Sequence, residues 1–201
     1  MSDPTPVPGY SALLLAGGRS TRMGEDKAFL PWQGKPLWQG QIQKLRMLKP
    51  ARLIVACREG QGLHQTAEPE VEWLFDPPGT DVGPIGPVSR ALALVQMPLV
   101  VLAVDMPEMN PAFLSESIAE LPPDQALFFR ASHGIEPLAG VYTPALIPLM
   151  EKALEDTQLS MRRLIEDAVN QGLAIVQPVS PSTQVYFANT NTPDEWSEVV
   201  G

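Results

Sequence analysis

Residues 15 to 27 read Leu-Ala-Gly-Gly-Arg-Ser-Thr-Arg-Met-Gly-Glu-Asp-Lys. Adjacent Gly17 and Gly18 permit positive φ and let main-chain N–H groups come close to a ligand. Within ten residues of that pair stand Arg19, Arg22 and Lys27. Two guanidinium forks and one ammonium can surround a chain of phosphates. The segment therefore predicts a triphosphate cradle. It is not a P-loop, because Lys27 is nine residues beyond Gly18, and it lacks the glycine spacing of the dinucleotide fingerprint.

Two aspartates and a second glycine-containing stretch carry further chemistry. Asp105 directly follows the aliphatic run LVVLAV, so it is expected at the tip of a buried strand, facing the ligand crevice. A carboxylate there is a hard oxygen ligand, suited to holding Mg²⁺ against phosphates. Asp76 closes the run VEWLF and opens a loop containing Gly83 and Gly86. Near the end, Asn189 and Asn191 are two apart, the spacing that puts both amides on one side of an extended segment. Thr192 and Pro193 behind them form a helix start. Arg130 and His133 are expected in a surface turn, Arg162 and Arg163 on a solvated helix face, and His64 on a surface helix. Cys57 reads as a small buried residue.

These residues need elements to place them. Apolar runs bounded by turn residues predict strands at 10–16, 52–57, 71–75 and 98–104, separated by helices at 36–48, 87–95 and 111–121. Nearly continuous aliphatic strands are those of a parallel sheet covered on both faces. Farther on, strands are expected at 126–131, 137–142, 173–178 and 185–188, with helices at 144–154, 160–168 and from Pro193 onward. The fold class is α/β, a three-layer αβα arrangement around a mostly parallel, Rossmann-like sheet. No linker-like stretch divides the chain, so one domain is expected over 1–201. Within it, about 9–121 would form a nucleotide lobe and about 122–201 an acceptor lobe.

Composition narrows the class of partner. A net charge of −9 excludes a protein held to nucleic acid by an overall positive field. The charge is unevenly spread: residues 1–58 hold nine Lys/Arg and three acids, +6, and the other 143 hold five bases and twenty acids, −15. That split suggests a small anionic ligand near the N-terminal part, against the blander reading of a solvated basic helix face. One cysteine excludes an intramolecular disulfide framework or a cysteine metal cluster. The polar, proline-rich start is no secretion signal, and no run approaches the ~20 apolar residues of a membrane span. A cytoplasmic location follows as the expectation.

Residues 15–37, LAGGRSTRMGEDKAFLPWQGKPL, resemble the signature of small nucleotidyltransferases, and most closely that of the molybdenum cofactor guanylyltransferases. Other branches, which transfer cytidylyl or uridylyl groups, usually carry Ala-Gly where this chain has Gly17-Gly18. The resemblance implies that Leu15, Ala16 and Gly17 meet base and ribose, and that Gly18, Arg22 and Lys27 lie along the phosphates. Arg22, Lys27 and Asp105 would be the catalytic set, with Mg²⁺ on Asp105. Asp76, Gly83 and Gly86 would complete the nucleotide pocket, and Asn189 and Asn191 would face the acceptor. The implied reaction is transfer of GMP from GTP to molybdopterin, for delivery to molybdoenzymes or their chaperones. Two departures stand out. Pro87 follows Gly86 where the family more often has Gly-Pro-Leu-Ala-Gly, and Val55-Ala56-Cys57-Arg58 lacks the family's usual asparagine. They leave a cytidylyl- or uridylyltransferase open, and a nucleotide-binding regulator without catalysis is the reading from another class.

Overall fold

The computed structural model describes residues 9–18, 26–66, 68–79, 81–122 and 124–189. Nine strands occur among them: β1 (Ser11–Leu15), β2 (Pro31–Trp32), β3 (Lys35–Pro36), β4 (Leu53–Cys57), β5 (Val71–Phe75), β6 (Leu99–Ala103), β7 (Ala126–Ala131), β8 (Gly134–Tyr142) and β9 (Ala174–Pro178). The α-helices are α1 (Leu37–Met47), α2 (Ile85–Val95), α3 (Pro111–Ala119), α4 (Ile147–Glu155) and α5 (Met161–Asn170).

Seven strands form one sheet in the order β5-β4-β1-β6-β8-β7-β9. β4 and β6 flank β1 in parallel, β5 continues parallel beyond β4, and β9 runs parallel to β7. β8 is antiparallel to both β6 and β7. The mostly parallel α/β class is borne out.

Strand alternation accounts for the three layers. Along β1, Ala12 and Leu14 pack into one core and Leu13 into the other; along β6, Val100 and Leu102 oppose Leu99 and Val101; along β7, Leu127 and Phe129 oppose Ala126 and Phe128. The first core is closed by Trp38, Ile42 and Leu45 of α1 with Leu114 of α3. The second is closed by Val88 and Leu92 of α2, Met150 of α4 and Leu164 of α5. Burying such aliphatic side chains contributes about 1.5–3 kcal/mol each, so both faces of the sheet are strongly stabilised.

Helix starts follow local chemistry. The Asn110 side chain accepts from the Ala112 N–H at 2.8 Å with Pro111 as the first helical residue of α3. Ser160 caps α5. α2 begins at Ile85, two residues before the expected start, with Pro87 inside its first turn. A proline fits there because first-turn N–H groups have no partner within the helix.

Two elements differ from expectation. The strand expected at 185–188 is a 3₁₀ turn, Gln184–Phe187, in which Val185 is exposed and Phe187 buried. Alternation over four residues does not distinguish a strand from such a turn. The short β2–β3 hairpin was not anticipated. The helix expected from Pro193 lies outside the described residues.

Candidate functional site

At the carboxyl ends of β1, β4, β5 and β6 lies a cleft of about 880 Å³. Leu15, Ala16, Gly17, Gly18, Lys27, Asp76, Gly83, Gly86 and Asp105 all line it. Segments up to 90 residues apart in the chain thus converge on the crevice where open parallel sheets bind ligands. Arg19, Arg22 and Asn191 lie outside the described residues. Asn189 follows the 3₁₀ turn after β9; it does not line the cleft, and its buried amide oxygen has no hydrogen-bond partner among the described residues.

Gly17 is not needed for its backbone freedom. Neither Gly17 nor Gly18 has positive φ, contrary to expectation. A Cβ on Gly17 would instead stand 2.9 Å from Asp76 Oδ2 and 3.4 Å from the Cα of Cys57. The missing side chain lets β1, β4 and the end of β5 close up at the cleft floor. Gly83 does need its freedom, with φ at +60°. At Gly86, in the first turn of α2, a Cβ would clash with the Val82 side chain, so the preceding loop folds back onto the helix.

Lys27 follows Asp26, whose carboxylate caps a single 3₁₀ turn by accepting from the Ala28 N–H at 3.1 Å. The turn brings Lys27 Nζ to 3.3 Å from Asp105 Oδ2. Two of the three residues singled out for catalysis, Lys27 and Asp105, 78 positions apart, therefore meet at one edge of the cleft.

Three groups of contacts were not found by reading the sequence. Arg58, just past β4, donates from Nε to Gly17 O at 3.1 Å and pairs with Asp26 at 2.8 Å, joining both ends of the segment 17–26. Gln61 adds a donation to Ala16 O at 2.7 Å. Arg90 of α2 donates to Phe75 O and to Asp76 Oδ1, both at 2.7 Å, which turns Asp76 Oδ2 toward Gly17. The third is a hold on the Asp105 loop from α1, in which Gln41 and Lys44 donate to carbonyls of that loop. Arg58 stands in the stretch already flagged for lacking an asparagine. The rest had no signal, because each partner is distant in sequence.

Two pKa shifts have plain causes. Burial, reinforced by Asp76, pushes the Cys57 thiol up from 9.0 to about 11, which suits a packing residue and not a nucleophile. Burial lowers Lys44 from 10.5 to about 8, opposed by nearby Glu108.

The N-terminal positive charge is used differently from expectation. Among the described residues of that segment only Lys27 and Arg58 line the cleft. Arg46 and Arg52 pair with Glu68 and Glu72 away from it, and Lys35 donates to Gln43. The described lining holds three bases (Lys27, Arg58, Arg90) and five acids (Asp26, Glu59, Asp76, Asp81, Asp105), so it is net acidic. The solvated-face reading thus explains much of the +6. Among the described residues there is no group of three or more metal-ligating side chains. A single accessible carboxylate fits a hard divalent cation that takes its remaining ligands from phosphates and water. No helix among the described residues is long and apolar enough to cross a membrane.

A family model described as a MobA-like NTP transferase domain matches residues 12–173. A probable molybdenum cofactor guanylyltransferase of Synechococcus elongatus (strain ATCC 33912 / PCC 7942 / FACHB-805) is 31% identical over 204 residues, covering 93% of this chain and 96% of that protein. The molybdenum cofactor guanylyltransferase of Pseudomonas fluorescens (strain Pf0-1) is 33% identical over 199 residues, covering 96% and 95%. Among solved structures, molybdopterin-guanine dinucleotide biosynthesis protein A from Archaeoglobus fulgidus superposes with a TM-score of 0.76 at 23% identity, covering 94% of this chain and 96% of that one.

Proposed function

Because the chain belongs to the MobA-like NTP transferase family, we propose that it transfers GMP from GTP to molybdopterin, forming the guanine dinucleotide and pyrophosphate. The observation that carries this reading is the meeting of Lys27 and Asp105, 3.3 Å apart, in the cleft that also holds Gly17, Gly18 and Asp76. The names of the relatives supply guanine and the pterin.

In this reading the acceptor's terminal phosphate oxygen bonds to the α-phosphorus of GTP as the bond from that phosphorus to the β-phosphate bridge breaks. The attacking phosphate is ionised at neutral pH, so no general base is required. Catalysis then consists of positioning and charge neutralisation. Lys27 neutralises charge on the triphosphate, joined by Arg22. Gly18 lets the main chain approach the phosphates, while Leu15, Ala16 and Gly17 line the base and ribose with Asp76, Gly83 and Gly86. Asp105 would hold Mg²⁺, which would supply counter-charge to the phosphates. The acids that outnumber bases among the described lining residues suit a triphosphate that arrives with its cation. Asn189 and Asn191 serve the acceptor. Residues 9–121 act as the nucleotide lobe of a single domain and 122–201 as its acceptor lobe, in a cytoplasmic enzyme whose product passes to molybdoenzymes or their chaperones.

The test is pyrophosphate release measured with GTP, CTP and UTP in the presence of molybdopterin and Mg²⁺. GTP alone should support turnover. Release with CTP or UTP but not GTP would overturn the guanylyl assignment, and nucleotide binding without release would overturn catalysis.

A further inference from the structure

The buried face of α1 carries Leu37, Trp38, Gln41, Ile42 and Leu45. Four are apolar, as packing requires. Gln41 is fully buried among them, and an amide without complete hydrogen bonding in such a place costs about 1–3 kcal/mol. Its Oε1 has no partner among the described residues, so an apolar residue of similar shape would serve the core at least as well.

The donor end of the same amide explains its presence. Gln41 Nε2 donates to Met106 O at 2.7 Å, with longer contacts to Val104 O at 3.3 Å and Ala103 O at 3.4 Å. One turn later on the helix, Lys44 Nζ donates to Pro107 O. The carbonyls on both sides of Asp105 are thereby held from beneath by one helix. On the sheet side, the Val104 N–H donates to Leu15 O at 3.0 Å, the last link to β1 before the chain turns away. Asp105 is the residue left between these holds, with its carboxylate at Lys27.

We infer that Gln41, supported by Lys44, is a positioning residue: it fixes the backbone of residues 103–107 so that the Asp105 carboxylate is presented at the cleft edge in the geometry that a divalent cation requires. The inference rests on the proposed metal role of Asp105. Gln41 touches neither nucleotide nor metal; it acts through the loop.

The experiment compares Gln41→Leu, Lys44→Met and Asp105→Asn with the wild type. Two readouts do not depend on turnover: hydrogen exchange of peptides spanning residues 103–109 in metal-free protein, and Mn²⁺ affinity of the GTP complex followed by electron paramagnetic resonance. Gln41→Leu should fold, exchange faster in that loop alone, and bind Mn²⁺ roughly tenfold more weakly, the usual scale for losing a group that orients a ligand. The Mg²⁺ needed for half-maximal pyrophosphate release should rise by a similar factor while kcat at saturating Mg²⁺ changes less. Lys44→Met should shift the same quantities in the same direction by a smaller factor, which keeps the test decisive if Gln41→Leu fails to fold. Asp105→Asn losing Mn²⁺ while Gln41→Leu and Lys44→Met retain wild-type affinity would overturn the inference. Asp105→Asn retaining Mn²⁺ would overturn the metal reading beneath it, and the inference with it.

Discussion

The two loops that meet at the cleft are held in different ways. The glycine loop after β1 is fastened at its rim, where Arg58 reaches Gly17 O and Asp26 and Gln61 reaches Ala16 O. The guanidinium doing this is itself a cleft residue, with its side chain 41% exposed. The Asp105 loop is fastened from below by a fully buried amide and a partly buried ammonium. Exposed charge pairs yield to salt and to a ligand's own charges, whereas buried donors on carbonyls do not. The described ends of the first loop are thus held by contacts that salt weakens, and the carbonyls around Asp105 by contacts that it does not.

The most direct way to break this comparison is to remove what each loop presents. Lys27→Ala and Asp105→Asn should each lower kcat by about 10²–10³, the scale of losing a group that stabilises transition-state charge, with the melting temperature little changed. Equal losses in GTP affinity and none in kcat would show that neither acts at the reacting centre. Gly17→Ala forces a methyl to within 2.9 Å of Asp76 Oδ2. Overpacking costs about 1–3 kcal/mol, so GTP binding by calorimetry should weaken roughly tenfold.

Arg58→Ala probes the adjustable rim. The KM for GTP should rise a few-fold, by about 1 kcal/mol or less since the pair is exposed, and the defect should shrink at high salt, with kcat held. A rise in KM that salt does not change would place Arg58 with the buried donors under the Asp105 loop instead of with an adjustable rim.

Cys57 lies under this rim and links it to pH. Its folded pKa of about 11 exceeds the unfolded 9.0, so the stability it contributes is complete below pH 9 and is lost as pH rises to about 11. Two pKa units correspond to roughly 2–3 kcal/mol. Denaturant titrations should show Cys57→Ala losing less stability than wild type across that window. Lys44, lowered to about 8, contributes in the opposite sense between 8 and 10.5 in both proteins, so the difference between them isolates the thiol.

The smallest effect is expected at the far end of β4. Arg52 grips Glu72 through Nε at 2.7 Å and a terminal nitrogen at 2.5 Å, the same chemistry as at Arg58 but remote from the cleft. Arg52→Ala should change stability by about 0.5 kcal/mol or less and leave the KM for GTP unmoved.

Much of this molecule was legible in residue order. Aliphatic strands such as β1 and β6 are readable because sheets buried on both faces tolerate little else; Gly17 and Asp105 stand out because each comes just after such a strand, Asp76 because it directly follows β5, and Lys27 by its spacing from the glycine pair. Charge was less informative. Opposite charges from separate segments neutralise one another in space, and Arg46 and Arg52 find Glu68 and Glu72 in the acidic part of the chain.

By itself the sequence determined the class of fold, the crevice-facing loops and the types of group they carry, since these depend on local periodicity and on what precedes each loop. Only the tertiary structure decided that β8 enters antiparallel beside β6, that Gly17 is glycine to admit Asp76, and that Gln41 reaches under residues 103–106. Those are contacts between segments far apart in the chain, and their free energy exists only once the sheet has brought the segments together.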